Sequence, residues 1–450
     1  MQQQQDPAAT SAPGVVTLDE PHPNGPVPSL DTQHRDDESR LEGLPAELRR
    51  HILSLLDIHC LKALVHASPT FHEQYRHDRR HLLSTLLHVT LGTVTLDALF
   101  VYRAQALETS SFERMSELIH IWSGTWPQRA SFQLAAQGGL VIEDAAVAMV
   151  RFYLNFVAPV ASHFMNKTLS TLRSLDASAG DNSDSDAEPS STEWQRCLRA
   201  AYRFQLLCCA TRPAITQQTF HVRGMNASRI FHTPEPWEAE ELLTFYEFAE
   251  YTYYNLFNEI AAAVNPYDPR FEDQEHVRLL PVPIGSSIEF HDPRDDYTAR
   301  NYLEGTTLRG GLQLLRTVLI DCKSEDLEPL VTTIQRSVVQ SWIPISTLDG
   351  FLSSRFQRWG SRRGPREKLM KEHAPLPFQG DDLDRPPLCW TDIWDGQYSN
   401  LIGGYIPNEI RKWGYVFWDA DRMNRHGRRH MLSEQWTGCW EGDPREDLIP

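Results

Sequence analysis

The sequence predicts a mainly α protein: an N-terminal helical hairpin or three-helix module, an irregular helical domain, and a Trp-rich, loop-rich C-terminal region. Three observations carry that expectation. From Leu41 to about Leu172 the apolar residues recur at three and four, as in HLLSTLLHVTLGTVTLDALFVY and EDAAVAMVRFYLNFVAPVA. The same period returns in EWQRCLRAAYRFQLLCCA and in PWEAEELLTFYEFAEYTYYNLFNEIAAAV, where Pro236, Glu238, Glu240 and Glu241 suit a helix start. Seven of the 12 tryptophans lie between Trp359 and Trp440 among glycines and prolines, where large rings anchor short helices and loops.

Taken in order, residues 1–40 open on four glutamines within the first five residues and continue through Pro, Ser, Asp and His. So little periodic apolar content does not offset the entropy of ordering, and a disordered tail is expected. The helical module spans 41–88 and a helical region 89–172, punctuated at Gly124-Thr125-Trp126-Pro127 and Gly138-Gly139. An acidic, Ser-rich linker follows at 173–193, in which Ser183 and Ser185 precede acidic residues and suit phosphate, or are only part of a solvated spacer. A second helical region covers 194–345, interrupted by a Pro/Asp-rich loop from Asn265 to about Tyr302 and resuming in GLQLLRTVLIDC and LVTTIQRSVVQSW. The Trp-rich region is 346–450. No internal repeat of about 20–50 residues is visible, which disfavours solenoids and propellers.

Within the module, LPAELRRHILSLLDIHCLKALVHASPTF runs from Leu44 to Phe71. Leu44, Leu48, Ile52 and Leu55/Leu56 make one stripe; Leu61, Leu64 and Val65 begin a second after a polar break at Asp57 to His59. Pro45 fits a first helical turn, and Glu47 favours the positive end of the helix dipole. Two short helices and a turn are expected.

The Leu44-Pro45 opening, Leu48, the Ile52-Leu53 pair, Leu56-Asp57, Leu61, Leu64, Ala67-Ser68 and the aromatic Phe71 resemble the F-box. That small helical module docks a substrate receptor on the adaptor of a cullin-RING (SCF-type) ubiquitin ligase. Where many family members have a basic residue after the serine, this chain has Pro69. The continuation ASPTFHEQYRHDRRHLLSTLL, PWEAEEL at Pro236 to Leu242 and GYVFWDADR at Gly414 to Arg422 are similar to a large group of filamentous-fungal proteins that open with an F-box-like segment. The resemblance implies a non-catalytic receptor that binds the ligase adaptor through Leu44, Pro45, Leu48, Ile52, Leu53, Leu56, Leu61, Leu64 and Phe71 and recognises a protein target elsewhere. An ordinary helical hairpin, buried in a larger helical scaffold, shows the same period. Burial of Leu44, Pro45 and Leu48 would favour that second reading.

Net charge of −17 disfavours nucleic acid as a partner, since phosphate affinity comes from clustered Lys and Arg. The scattered seven cysteines, Cys60, Cys197, Cys208, Cys209, Cys322, Cys389 and Cys439, and the lack of an apolar segment in the first residues point to a reducing interior, cytoplasmic or nuclear. In that setting the sequons at Asn166 and Asn226 go unused. The longest apolar run, Ala145 to Ala161, contains Arg151, Asn155 and Pro159 and is shorter than the ~20 residues of a membrane span. No membrane partner is expected.

Nucleophile elbows, phosphate loops and kinase signatures are absent from the sequence, and neither a cofactor nor a metal is indicated; Gly310-Gly311 opens an apolar helix without the Lys and Ser/Thr of a phosphate loop. His77 and His81 stand one turn apart, with His88 two turns on, but no third ligand is specified and a solvated surface is expected. Asp392, Asp395, Asp419 and Asp421 are expected to pair with Arg422, Arg425 and Arg428. Cys197, Cys208 and Cys209 read as buried, inert thiols. The basic run from Arg355 to Lys371, interleaved with Phe356 and Trp359, reads as a solvated helix or loop, or a face for an acidic partner or RNA. An enzyme in the C-terminal region would need Asp392, Asp395, Asp419, Asp421, His426 or His430 to converge in one pocket.

Overall fold

A computed structural model describes residues 41–107, 112–126, 143–175, 188–211, 217–260, 297–321, 375–398, 406–425 and 427–439. These are 81% helical and include no strand, so the chain is mainly α. Ser183, Ser185, Cys322, the helix expected over LVTTIQRSVVQSW, the basic run from Arg355 to Lys371, Trp359, His426, Trp440 and residues 1–40 lie outside the described residues. Residues 41–44 belong to an N-terminal unit, in which Leu44 N–H donates to Leu41 O at 3.3 Å. Residues 45–450 form the second unit.

That unit opens with α1 (Ala46–Leu55), α2 (Ile58–Ala67) and α3 (Pro69–Leu91). Asp57 caps α2 by accepting from Cys60 N–H at 2.7 Å, and Ser68 caps α3 by accepting from Phe71 N–H at 3.3 Å. Pro69, the departure from the F-box pattern, takes the first position of α3, where no N–H is required. Both α1 and α2 pack on α3, giving a three-helix module. Gly92, at φ +52°, ends α3 in a conformation that L side chains rarely adopt. Next come α4 (Thr95–Ala106), α5 (Phe112–Thr125), α6 (Glu143–Phe152), a π-helical turn at Tyr153–Val157, and α7 (Ala158–Leu175).

The central element is α8 (Ser191–Ala210), which packs against α4, α7, α9 (Gln217–His232), α10 (Pro236–Ile260) and α11 (Tyr297–Arg316). It starts with a capping box: Glu193 N–H donates to Ser190 Oγ at 3.1 Å, and Ser190 N–H to Glu193 Oε2 at 2.8 Å. From Arg196 to Ala210 every side chain is buried, as a helix enclosed on all sides requires. Cys197, Cys208 and Cys209 are buried there, and burial pushes the Cys197 thiol well up. The glycine pair expected to open an apolar helix does so at the kink within α11, where two helical stretches meet. Gly311, at φ +53°, breaks the helix, and Gln205 of α8 accepts the Leu312 N–H at 2.8 Å.

The C-terminal region contributes short helices, α12 (Leu388–Ile393), α13 (Asn408–Lys412), α14 (Ala420–Met423) and α15 (Arg428–Thr437). Trp390, Trp394, Trp413, Trp418 and Trp436 are buried among them. Trp390 meets Trp237 of α10 edge to face with centroids 5.4 Å apart, and Phe417 meets Phe164 of α7 at 5.0 Å. Large rings therefore hold loop-rich chain to the helical core.

Two helical stretches, Pro69–Ala106 and Asp144–Leu175, are long and apolar enough to cross a membrane by length and composition alone. The sequence reading differs because the apolar run around Ala145 to Ala161 lies in a helical stretch that continues to Leu175. Much of the most apolar window of each, 78% and 50%, is buried inside the protein.

Candidate functional site

The expected partner-binding residues divide by burial. Leu53, Leu61 and Phe71 belong to the core, with Leu56 and Leu64 partly buried against it. Pro45 and Leu48 are exposed, Leu48 at 50%, with Ile52 half-buried, and Leu55 of the same stripe, not among the expected contacts, is exposed at 67%. Leu44 ends the turn that precedes the helix. The stripe Leu48, Ile52, Leu55 is thus the outer face of α1, and the inner face is carried by Leu53.

Its orientation is set by α3. Arg50 Nη2 lies 2.8 Å from Asp78 Oδ1, and Gln74 also donates to Asp78. The Arg50 hydrogen bond pulls the Asp78 carboxyl down to about 2. Arg49 Nη2 reaches Gln74 Oε1 at 3.5 Å. These polar contacts along one side, together with Leu53, leave the leucine stripe facing out. Three apolar side chains on successive turns make a ridge of the kind that enters a partner's groove.

A second constellation joins two segments that the sequence reading kept apart, PWEAEEL on α10 and GYVFWDADR around α14. Between them lie Arg196, Arg199 and Arg203, three and four residues apart on one side of α8. Arg199 forks Glu241, Nε at 2.8 Å and Nη2 at 2.6 Å, while Nη1 donates to Glu238 at 2.9 Å and to Leu383 O at 2.8 Å. Burial works against its charge, but Glu241 and Glu238 hold Arg199 ionised beyond its ordinary range. Arg196 Nη1 donates to Asp419 at 2.7 Å and to Phe417 O at 3.0 Å. Arg203 lies 3.5 Å from Asp97 and 3.6 Å from Glu238 and stacks over Trp126 at 4.2 Å. Burial lowers the Arg203 pKa and raises that of Asp97, each favouring the neutral form.

From the C-terminal side, Arg422 forks Glu193 at 2.8 Å with both Nε and Nη2, and Asp419 N–H donates to Glu193 Oε1 at 3.0 Å. Arg411 of α13 reaches Glu240 and Glu247 of α10. Glu238, Glu240 and Glu241 are therefore buried ion-pair partners as well as helix-start residues. For Glu238 and Glu241 the signal in the sequence is the Arg triplet inside an otherwise apolar helix, since buried charges must be paired.

Of the four acidic residues expected to pair with arginines, Asp392, Asp419 and Asp421 do so, while Asp395 stands exposed at φ +52°. Asp421 pairs with Arg425 as expected; Asp419 takes Arg196, and Asp392 is forked by Arg429 at 2.8 Å and 2.8 Å. Arg422 is engaged by Glu193, and Arg428 donates to Arg422 O at 3.1 Å. A cavity of about 340 Å³ is lined by Asp392, Arg429, His430, Ser433 and Trp436 among others. Of the residues an enzyme would bring together, Asp392 and His430 line it, whereas Asp419 lies against Arg196.

His77 and His81 are exposed on α3, with His77 Nδ1 3.3 Å from Asp78 Oδ1; His88 is buried, because the last turns of α3 enter the core. Among the described residues no group of three or more His, Cys, Asp or Glu is placed to hold a metal ion. Asn226 of the second sequon is 1% exposed within α9.

Compared with protein-family models, with curated proteins and with solved structures, the chain matches none of them.

Proposed function

We propose that the chain is a substrate receptor of a cullin-RING ubiquitin ligase, docking on the ligase adaptor through the outer face of α1 and holding a protein target on the remainder of the molecule. The observation that supports this reading is the exposure of Pro45, Leu48 and Leu55 on one face of a helix fixed from behind. Exposed leucines on successive turns are poorly placed for solvent and well placed for a hydrophobic groove. A receptor works by raising the effective concentration of target beside an activated ubiquitin, so it needs no catalytic side chain, cofactor or metal of its own.

Leu53, Leu61 and Phe71 act in this scheme by supporting the face, not by touching the adaptor. Deleting the module would therefore strip the core, and point changes on the outer face are the sound test. Leu48→Asp with Ile52→Asp should abolish capture of purified adaptor by the immobilised chain while circular dichroism keeps its helical signal. Capture that persists in a folded double variant would overturn the docking assignment.

A second reading, a helical interaction scaffold in which the hairpin is structural, is favoured by one observation: the buried residues of α1, α2 and α3 belong to the same continuous core as α4 to α15. It expects no adaptor binding by the intact chain.

A further inference from the structure

Arg411, 3% exposed on α13, is shared by two carboxylates two turns apart on α10. Its Nε and Nη2 fork Glu240 at 2.6 Å and 3.2 Å, and its Nη1 donates to Glu247 at 2.7 Å. Glu240 is fully enclosed at 1%, whereas the Glu247 side chain keeps 24% of its surface in solvent. One guanidinium between two ionised carboxylates leaves a negative charge in excess at a site with little water to screen it. Glu250, one turn beyond Glu247, accepts from Tyr246 OH at 3.3 Å and adds to that excess. Other charged and titratable groups on the surrounding elements are Glu409 and Lys412 on α13, Tyr415 just after it, His163 and Lys167 on α7, whose His163 ring packs on Phe248, Arg428, Arg429, His430 and Glu434 on α15, which packs on α13, and Arg309 and Arg316 on α11, which packs on α10. Arg199, on the α8 side, is taken up by Glu238 and Glu241.

We propose that Glu240, Arg411 and Glu247 form a proton-sensitive latch between α10 and the C-terminal region. With one proton on the carboxylate pair, the remaining charge balances Arg411 and α13 is fastened; with both carboxylates ionised, Glu247, the one open to solvent, is released and α13 loosens. Burial raises the Glu247 carboxyl to about 7 against the pull of Arg411, which places the transition near neutrality. For a carboxyl whose folded value lies above its ordinary 4.5, the extra stability is full below that ordinary value. It is lost as pH rises through about 7.

The test is amide hydrogen exchange of the intact chain, read by mass spectrometry on peptides covering 408–417 and corrected for the intrinsic pH dependence of exchange. Protection in these peptides should fall by roughly tenfold or more between about pH 5.5 and 8. Glu247→Gln keeps an acceptor for Arg411 and removes the titration, so its protection should be high and nearly level across that range. Equal wild-type protection at both pH values, or a Glu247→Gln profile that falls as steeply as wild type, would overturn the latch.

Discussion

Arg199 and Arg429 both fork a carboxylate with two bonds under 3 Å, yet their surroundings give them different weight. Arg199 is 2% exposed and its partners Glu238 and Glu241 are at 0%; Arg429 and Asp392 are 49% and 26% exposed. Removing Arg199 strands the desolvated Glu241 and leaves Glu238 to Arg203 at 3.6 Å, which costs about 3–5 kcal/mol, whereas water and salt screen the surface pair to about 1 kcal/mol or less. Urea denaturation of Arg199→Met and Arg429→Met should show that contrast; equal losses would contradict it. Sequence spacing disclosed that the acidic residues near Trp418 pair with arginine, because Asp421 and Arg425 are one turn apart. It did not disclose Asp419 with Arg196, which are 223 residues apart in the chain and meet only when α8 is covered.

At the level of elements, periodicity located the helices because a 3.6-residue repeat is local information. It did not decide which side of α1 faces inward, since Leu48, Ile52, Leu55 and Arg49, Leu53, Leu56 are both stripes of the same helix. The neighbour decides, through Asp78 and Gln74 on α3. Leu53→Ala should therefore cost about 2–5 kcal/mol of stability, and Leu55→Ala should stay within about 0.5 kcal/mol of wild type. Similar losses at both positions, measured by thermal melting, would mean that the outer face is not free. The start of α8 carries a further signature, Ser190 with Glu193 three residues on, set in an acidic run that reads as linker. Ser190→Ala should lose about 1 kcal/mol by leaving the Glu193 N–H uncapped.

Across the whole molecule, α8 unites what the sequence divides into regions. Its arginines donate to carbonyls and a carboxylate from 381–419 on one side and pair with carboxylates of α4 and α10 on the other. A chain ending at residue 374 would expose the face of Trp237 that meets Trp390 and uncover Arg196, so it should aggregate or melt without a cooperative transition. Calorimetry of the intact chain should give one transition for the described helical body, and two well-separated transitions would show that the C-terminal region folds apart. The Trp-rich composition announced aromatic anchoring there; which helices receive the rings depends on contacts across more than a hundred residues and had no local signal.

The docking claim for the outer face of α1 is tested most directly by titration calorimetry of the intact chain against purified ligase adaptor, wild type beside Leu48→Asp with Leu55→Asp. The account expects micromolar or tighter binding by the wild type and no binding by a double variant whose melting curve is unchanged. No heat from a folded wild-type chain, or undiminished binding by the folded double variant, would contradict it.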